Sequence, residues 1–137
     1  MQEKIFPGTL DSLAPVRAYV AEAGRAAGLD SGRIYNLCLA VDEIATNIVL
    51  HGYEKAGLKG DIVVEALEEP GHLIIRLLDH GRVYDPELVP EPDLADPLNQ
   101  EGGWVVFLSR IGVDQLSYTP SDSGNLHRFV VELPRDD

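Results

Sequence analysis

The sequence has little of what marks a secreted, membrane-spanning or nucleic-acid-binding protein. Its 137 residues include one cysteine, Cys38, so no disulfide can form within the chain. No apolar run approaches the roughly 20 residues that span a bilayer, and the N-terminus lacks the charged-then-apolar order of a signal peptide. Only 11 basic residues stand against 23 acidic ones, scattered singly, and the formal net charge is -12. We therefore expect a cytoplasmic protein that contacts neither a membrane nor nucleic acid.

The remaining composition is that of one globular domain. Hydrophobic residues make up 45% of the chain, enough for a core, and the length suits a single domain over residues 1–137. Cys38 lies within an apolar helical pattern, which indicates a buried structural thiol. The four histidines have no metal-ligand spacing and are interpreted as surface or turn residues: His51, His72, His80 and His127.

The order of the expected elements indicates an α+β fold. We expect an edge strand within 3–10, helices over 13–28, 31–50 and 104–111, and strands over 61–68, 72–78, 115–119 and 126–133. An apolar stripe marks the inner face of the first helix: Val16, Tyr19, Val20 and Ala23. Helices followed by strands predict a two-layer sandwich, a mostly antiparallel mixed sheet with helices on one face.

The expected ends of the two N-terminal helices follow from capping residues. Ser12 or Asp11 can cap the first helix. Ser31 is expected to open the second helix, and His51-Gly52 to end it.

Two polar residues interrupt the second helix, which is otherwise apolar nearly all round. Glu43 and Asn47 are four residues apart and so share one face. A bound metal ion and its ligand would satisfy both side chains. Alternatively, the two side chains face solvent or bond to each other.

Two further segments combine polar residues with glycine. An apolar strand ends in Asp79 and Gly81, which suits a ligand amine near the backbone but equally an ordinary Asp-x-Gly turn. Gly102-Gly103 precede an apolar helix, where free N–H groups can bind an anion, although such a pair can also be a flexible hinge. Between them lies a proline-rich, acidic loop, expected to form a lid over about 86–103.

Taken together and in order, these segments resemble the GHKL, or Bergerat-fold, ATPases, and most closely the anti-sigma-factor serine/threonine kinases. The resemblance extends from about residue 8 to 134. Three boxes carry it: Glu43-Ile-Ala-Thr-Asn47 with His51-Gly52-Tyr53, then Asp79-His-Gly81-Arg-Val-Tyr84-Asp-Pro86, then Glu101-Gly-Gly-Trp104. It implies the Bergerat ATP-binding fold, with ATP and Mg²⁺ as cofactors.

The resemblance also implies roles for individual residues. Asn47 would coordinate the Mg²⁺ on the ATP phosphates, and Glu43 would be the general base for an incoming serine hydroxyl. Asp79 would accept a hydrogen bond from the adenine amino group, beside Gly81, with Tyr84 at an aromatic position of the same box. The last site residues, Gly102 and Gly103, would approach the phosphates.

The function implied is a serine/threonine protein kinase that binds a sigma factor and phosphorylates an antagonist protein in a partner switch. Val105 stands where relatives carry a glycine, and Asn125-Leu126-His127 stand where many place a Gly-Thr pair. These departures support an alternative, a non-catalytic Bergerat-fold binding module with weak or lost ATP turnover. A histidine kinase is the third hypothesis, less favoured because no helical hairpin with an acceptor histidine precedes the domain. We also expect a homodimer, from the resemblance and the N-terminal edge strand.

Overall fold

The computed structural model describes residues 1–83 and 113–134. The helices are α1 (Leu13–Ala26) and α2 (Ser31–Asn47), with a 3-10 turn (Leu10–Ser12) before α1 and a π-helix (Ile48–Glu54) after α2. The strands are β1 (Lys4–Pro7), β2 (Asp61–Glu69), β3 (His72–Asp79), β4 (Gln115–Ser121) and β5 (Gly124–Glu132). These elements confirm the α+β prediction.

The described strands form one sheet in the order β1-β2-β3-β5-β4. All four of these pairings are antiparallel. β1 lies at one edge, as the sequence predicts, and β3 lies at the centre between β2 and β5. The central position matters for function, because the C-terminal end of β3 is flanked on both sides by strands that can present side chains to it.

The core lies between the two helices and one face of the sheet. The predicted stripe of α1 is buried there, with all four of its residues at most 4% exposed. Alternate residues of β2, β3 and β5 face the same cluster, as the two-residue period of a strand requires. Cys38 is buried as well, and burial raises the pKa of its thiol, which agrees with a structural role.

The two helix starts agree with the prediction, with different capping contacts. Ser31 is the first residue of α2, and Asp30 before it is the N-cap, because its Oδ1 accepts the Arg33 N–H at 2.8 Å. Ser12 is the N-cap of α1, but its hydroxyl donates to the Pro7 carbonyl instead of capping the helix. β4 and β5 each extend two residues further towards the hairpin turn than the predicted ends at 119 and 126, because Ser121 pairs with Gly124 and only residues 122–123 lie between the strands.

The end of α2 also differs from the prediction. The α-helix stops at Asn47, and the chain continues as a π-helix through Gly52 to Glu54. Its widened turns close with bonds five residues apart, from the Lys55 N–H to the Leu50 carbonyl and from the Leu58 N–H to the Tyr53 carbonyl, both at 2.9 Å. π-Helical segments are rare and occur often at functional sites. Gly52 does not end the helix, because it is buried against the loop that follows β3.

No helix within residues 1–83 and 113–134 has the length and apolar character needed to cross a membrane.

Candidate functional site

The site is centred on the Asp79 carboxylate at the end of β3, which is only 2% exposed. Its Oδ1 accepts hydrogen bonds from the Gly81 N–H at 2.9 Å and from Asn125 Nδ2 at 3.0 Å. Its Oδ2 lies 3.2 Å from His127 Nε2. The ordinary Asp-x-Gly turn is therefore present, but two side chains from β5 also bind the carboxylate. Such bonds offset the large cost of burying a charge.

The sheet register brings these three side chains together. Asp79 is paired directly with Asn125, and Leu77 with His127, across the antiparallel β3–β5 ladder. Because Asn125 and His127 are two residues apart, they point to the same face of the sheet. His127 is consequently a diagonal neighbour of Asp79, within the reach of a long side chain. On the other side of β5, the Tyr118 ring lies 4.9 Å from the His127 ring, centroid to centroid.

Two glycines allow the loop after β3 to approach the π-helix closely. The Arg82 N–H donates to the Gly52 carbonyl at 2.8 Å. A Cβ added to Gly81 would lie 2.6 Å from the Gly52 oxygen and 2.7 Å from its carbonyl carbon. Those neighbours are backbone atoms, so a side chain at position 81 would push the two segments apart.

Tyr53, in the π-helix, holds the same loop through its hydroxyl group. Its side chain is 2% exposed, and its hydroxyl donates to the Asp61 carbonyl at 2.6 Å. The same hydroxyl accepts the His80 N–H at 2.8 Å. One phenol thus joins the π-helix, the start of β2 and the loop that carries Gly81, and it holds the Asp79 region in a defined position.

Asn47 borders the same site from α2. It is 6% exposed, and its Nδ2 is buried without a hydrogen-bond partner among the described residues. Asn47, Asp79, Asn125 and His127 all line one cavity of about 10 Å³, about the size of one water-sized group. Buried polar groups are normally paired, so the unpaired amide argues against the alternative in which Asn47 simply faces solvent or bonds to Glu43.

Glu43 lies one helical turn before Asn47 and is partly buried. Burial raises the pKa of the Glu43 carboxyl above its ordinary value, and the neighbouring Asp42 carboxylate adds to the rise. A raised pKa makes the Glu43 carboxylate a stronger base than an exposed glutamate, which is the property that a general base requires. Glu43 is not among the side chains that line the small cavity.

The sequence interpretation of His127 as a surface or turn residue is wrong. Its side chain is 4% exposed and bonds to Asp79. A signal for its burial was present in β5, because the inward residues Phe129 and Val131 fix the phase of the strand and place positions 125 and 127 on the same face. The residue type of a histidine alone does not reveal which face of the strand it occupies.

The remaining predicted site residues, Tyr84, Gly102 and Gly103, lie outside the described residues. So do Val105, the helix expected over 104–111 and the lid expected over about 86–103. The structure therefore brings together Asn47, Asp79 and Gly81, with Glu43 on the same helix as Asn47.

The amide oxygen of Asn47 fits a Mg²⁺ ion that arrives with a phosphate ligand, because oxygen atoms are the ligands that Mg²⁺ prefers. Over residues 1–83 and 113–134, no group of three or more His, Cys, Asp or Glu side chains could hold a metal. A single protein oxygen suits an ion that keeps several waters and binds substrate phosphates, rather than an all-protein cage.

Comparisons with known proteins identify the family of the chain. Residues 6–131 match the family described as histidine kinase-like ATPase domain. Because the match covers most of the chain, the protein belongs to this family, whose fold is that of the GHKL ATPases. A search of curated proteins finds no match.

Solved structures share the fold at low sequence identity. The RsbU and RsbW domains of a Mycobacterium tuberculosis protein align with a TM-score of 0.68 and 21% identity, covering 99% of this chain and 34% of that one. A blue-light-activated histidine kinase domain from Erythrobacter litoralis gives 0.58 and 16%, covering 88% and 60%. The Acinetobacter baumannii histidine kinase AdeS gives 0.55 and 10%, covering 98% and 69%. This chain thus spans about a third of the first of these proteins.

Proposed function

We propose that this protein is an ATP-dependent serine/threonine kinase that acts as an anti-sigma factor in a partner-switching system. It would bind a sigma factor, and it would transfer the γ-phosphate of ATP to a serine or threonine of an antagonist protein. The observation that carries the proposal is the meeting of Asn47 and Asp79 at one buried cavity, beside the closely packed Gly81 loop. Family membership and the likeness in fold to an RsbW domain support it.

Each residue has a physical task in this reaction. Asp79, held by its protein donors, keeps acceptor capacity for the amino group of adenine. The amide oxygen of Asn47 would hold Mg²⁺, which neutralises phosphate charge during transfer. The attacking serine oxygen forms its bond to the γ-phosphorus as the bond to ADP breaks, and Glu43 takes the hydroxyl proton. A raised pKa of Glu43 brings the base closer to the proton affinity needed near neutral pH.

Calorimetry on the full chain tests the nucleotide site. We expect ATP to bind in the presence of Mg²⁺, and Asn47→Ala to lose the Mg²⁺-dependent part of the affinity. Asn36→Ala, an exposed asparagine on the same helix, is the matched control and should bind as the wild type does. If Asn47→Ala bound Mg-ATP with unchanged affinity, the metal-binding role of Asn47 would be refuted.

A phosphotransfer assay tests the chemistry separately. With radiolabelled ATP and a candidate antagonist protein, Glu43→Gln should bind ATP normally but transfer no phosphate, since the amide cannot accept the proton. Transfer by Glu43→Gln at the wild-type rate would remove Glu43 from the reaction.

A non-catalytic binding module is the second candidate. The observation that favours it is that protein donors already satisfy most of the acceptor capacity of Asp79. In that case the wild-type chain would bind a protein partner but would show no heat of binding with Mg-ATP.

A further inference from the structure

His127 has one ring nitrogen in use and one unused. A carboxylate only accepts hydrogen bonds, so the Nε2 that lies 3.2 Å from Asp79 Oδ2 carries the proton. In the neutral ring, Nδ1 is then an acceptor. That Nδ1 is buried and has no hydrogen-bond partner within the described part of the chain. Burying an unpaired acceptor costs free energy, so a donor placed in the cavity, from a ligand or a water, would stabilise it.

Asp79 has a matching unused position. An ionised carboxylate offers about four lone-pair sites. Gly81 N–H and Asn125 Nδ2 use two on Oδ1, and His127 uses one on Oδ2. One acceptor site on Oδ2 is left, and it belongs to a carboxylate that lines the same small cavity as His127.

Asn125 cannot donate to this position, because both N–H groups of its Nδ2 are in use. Its Nδ2 donates to Asp79 Oδ1 and to the Gly81 carbonyl, both at 3.0 Å. These two acceptors fix the orientation of its amide and hold the Gly81 loop against the carboxylate. Asn125 is therefore a positioning residue. The cavity keeps acceptors on Asp79 and His127, together with the unpaired donor Asn47 Nδ2 among its described lining residues.

We propose that His127 is a second acceptor for the exocyclic amino group of the nucleotide base, beside Asp79. An amino group carries two N–H donors, which is the number of unused acceptors, and one nitrogen atom suits a cavity of about 10 Å³. Base recognition then depends on both N–H bonds. A 6-aminopurine donates to both acceptors, whereas the oxygen of a 6-oxopurine carries no N–H and would face two acceptors, Asp79 Oδ2 and His127 Nδ1, instead of one. This inference rests on the proposed function, because it requires that a nucleotide binds at this site.

Nitrogen NMR on the full chain, labelled with ¹⁵N-histidine, tests this contact directly. We expect saturating Mg-ATP to shift the Nδ1 resonance of His127 towards that of a hydrogen-bonded acceptor, and Mg-ITP to leave it unshifted. A merely structural histidine would show no such difference between the two nucleotides. ATP binding with an unmoved Nδ1 resonance would overturn the inference while the proposed function stood, whereas no ATP binding at all would overturn both.

Calorimetry with variants gives an independent readout. His127→Phe keeps a flat ring without nitrogen and should weaken ATP binding about fivefold or more, the effect of one lost hydrogen bond, while leaving ITP affinity unchanged. His127→Gln, with both a donor and an acceptor, should recover part of the selectivity. His72→Phe, at the far end of β3, is the control and should change nothing. Equal weakening of ATP and ITP by His127→Phe would assign His127 a structural role only.

Discussion

Replacing Gly81 by alanine tests whether the close contact between the β3 loop and the π-helix builds the site. The added Cβ would meet the Gly52 carbonyl oxygen at 2.6 Å and its Cα at 3.0 Å. Real Cβ atoms essentially never approach this closely, and both atoms belong to the backbone, so the loop must move. Gly81 does not have a positive φ, and the cost therefore arises from space rather than from backbone conformation.

The magnitude follows from what the movement would break. Three hydrogen bonds depend on the present position of the loop: Gly81 N–H to Asp79, Asn125 to the Gly81 carbonyl, and Arg82 N–H to the Gly52 carbonyl. At about 1 kcal/mol for each bond, complete loss would cost about 3 kcal/mol. Overpacking of a tight site typically costs about 1–3 kcal/mol. We therefore expect the free energy of unfolding to fall by about 1–3 kcal/mol.

Chemical denaturation with urea measures this difference, and Gly32→Ala is the matched control. A Cβ on Gly32, within α2, would lie 3.5 Å from Asp30 Oδ1, an ordinary contact. Alanine is favoured over glycine in a helix by about 0.5–1 kcal/mol, so this variant should gain stability. We also expect Gly81→Ala to lose nucleotide affinity, because Asp79 would lose its alignment. Unchanged stability and unchanged ATP binding in Gly81→Ala would refute the argument that this contact sets the site.

Three further predictions concern single side chains. Glu43→Gln should stabilise the fold near neutral pH, because a carboxyl whose pKa is raised by folding costs the native state stability as the pH rises towards that folded pKa. The advantage of the variant over the wild type, followed by thermal unfolding, should vanish below about pH 4 and level off above the raised pKa. An advantage that persists in acid would contradict this reasoning. Tyr53→Phe leaves the Asp61 carbonyl and the His80 N–H without their partner, so it should lower the free energy of unfolding by about 1–3 kcal/mol in urea titration, and a neutral effect would show that the loop is held elsewhere. Cys38 should react with a thiol reagent only slowly in the native protein and rapidly in denaturant, since burial raises the pKa of its thiol; fast native labelling would show that the helix pair opens readily.

Much of the fold was readable from the sequence because its signals are local. The apolar stripe of α1 follows the helical period, and its four residues are buried as expected. The β2–β3 hairpin follows from two apolar runs separated by Pro70-Gly71, and the observed turn falls between Glu69 and His72. Short-range periodicity and turn residues fix these elements, whatever the rest of the chain does.

The failures arise where a distant contact decides a local structure. Gly52 looks like a helix terminator, yet the helix continues past it in π form, because the glycine packs against Gly81 and Arg82 from the loop after β3. His127 looks like a surface or turn residue, but the pairing of β5 with β3 buries it beside Asp79. A single sequence does not state which of these competing interactions wins.

The candidate site shows the same division. Residue types and spacing made Glu43, Asn47, Asp79 and Gly81 candidates, because a carboxylate or an amide within an apolar segment needs a partner that the segment cannot supply. They left an ordinary turn and a solvent-facing pair open, and the resemblance to a family implied the roles. Only the tertiary structure joined Asp79 to Asn125 and His127, since that contact depends on which strand pairs with β3 and in which register. Strand pairing is a non-local choice made by the whole core, so the sequence by itself determined the chemistry available to the site, and the fold decided which groups meet there.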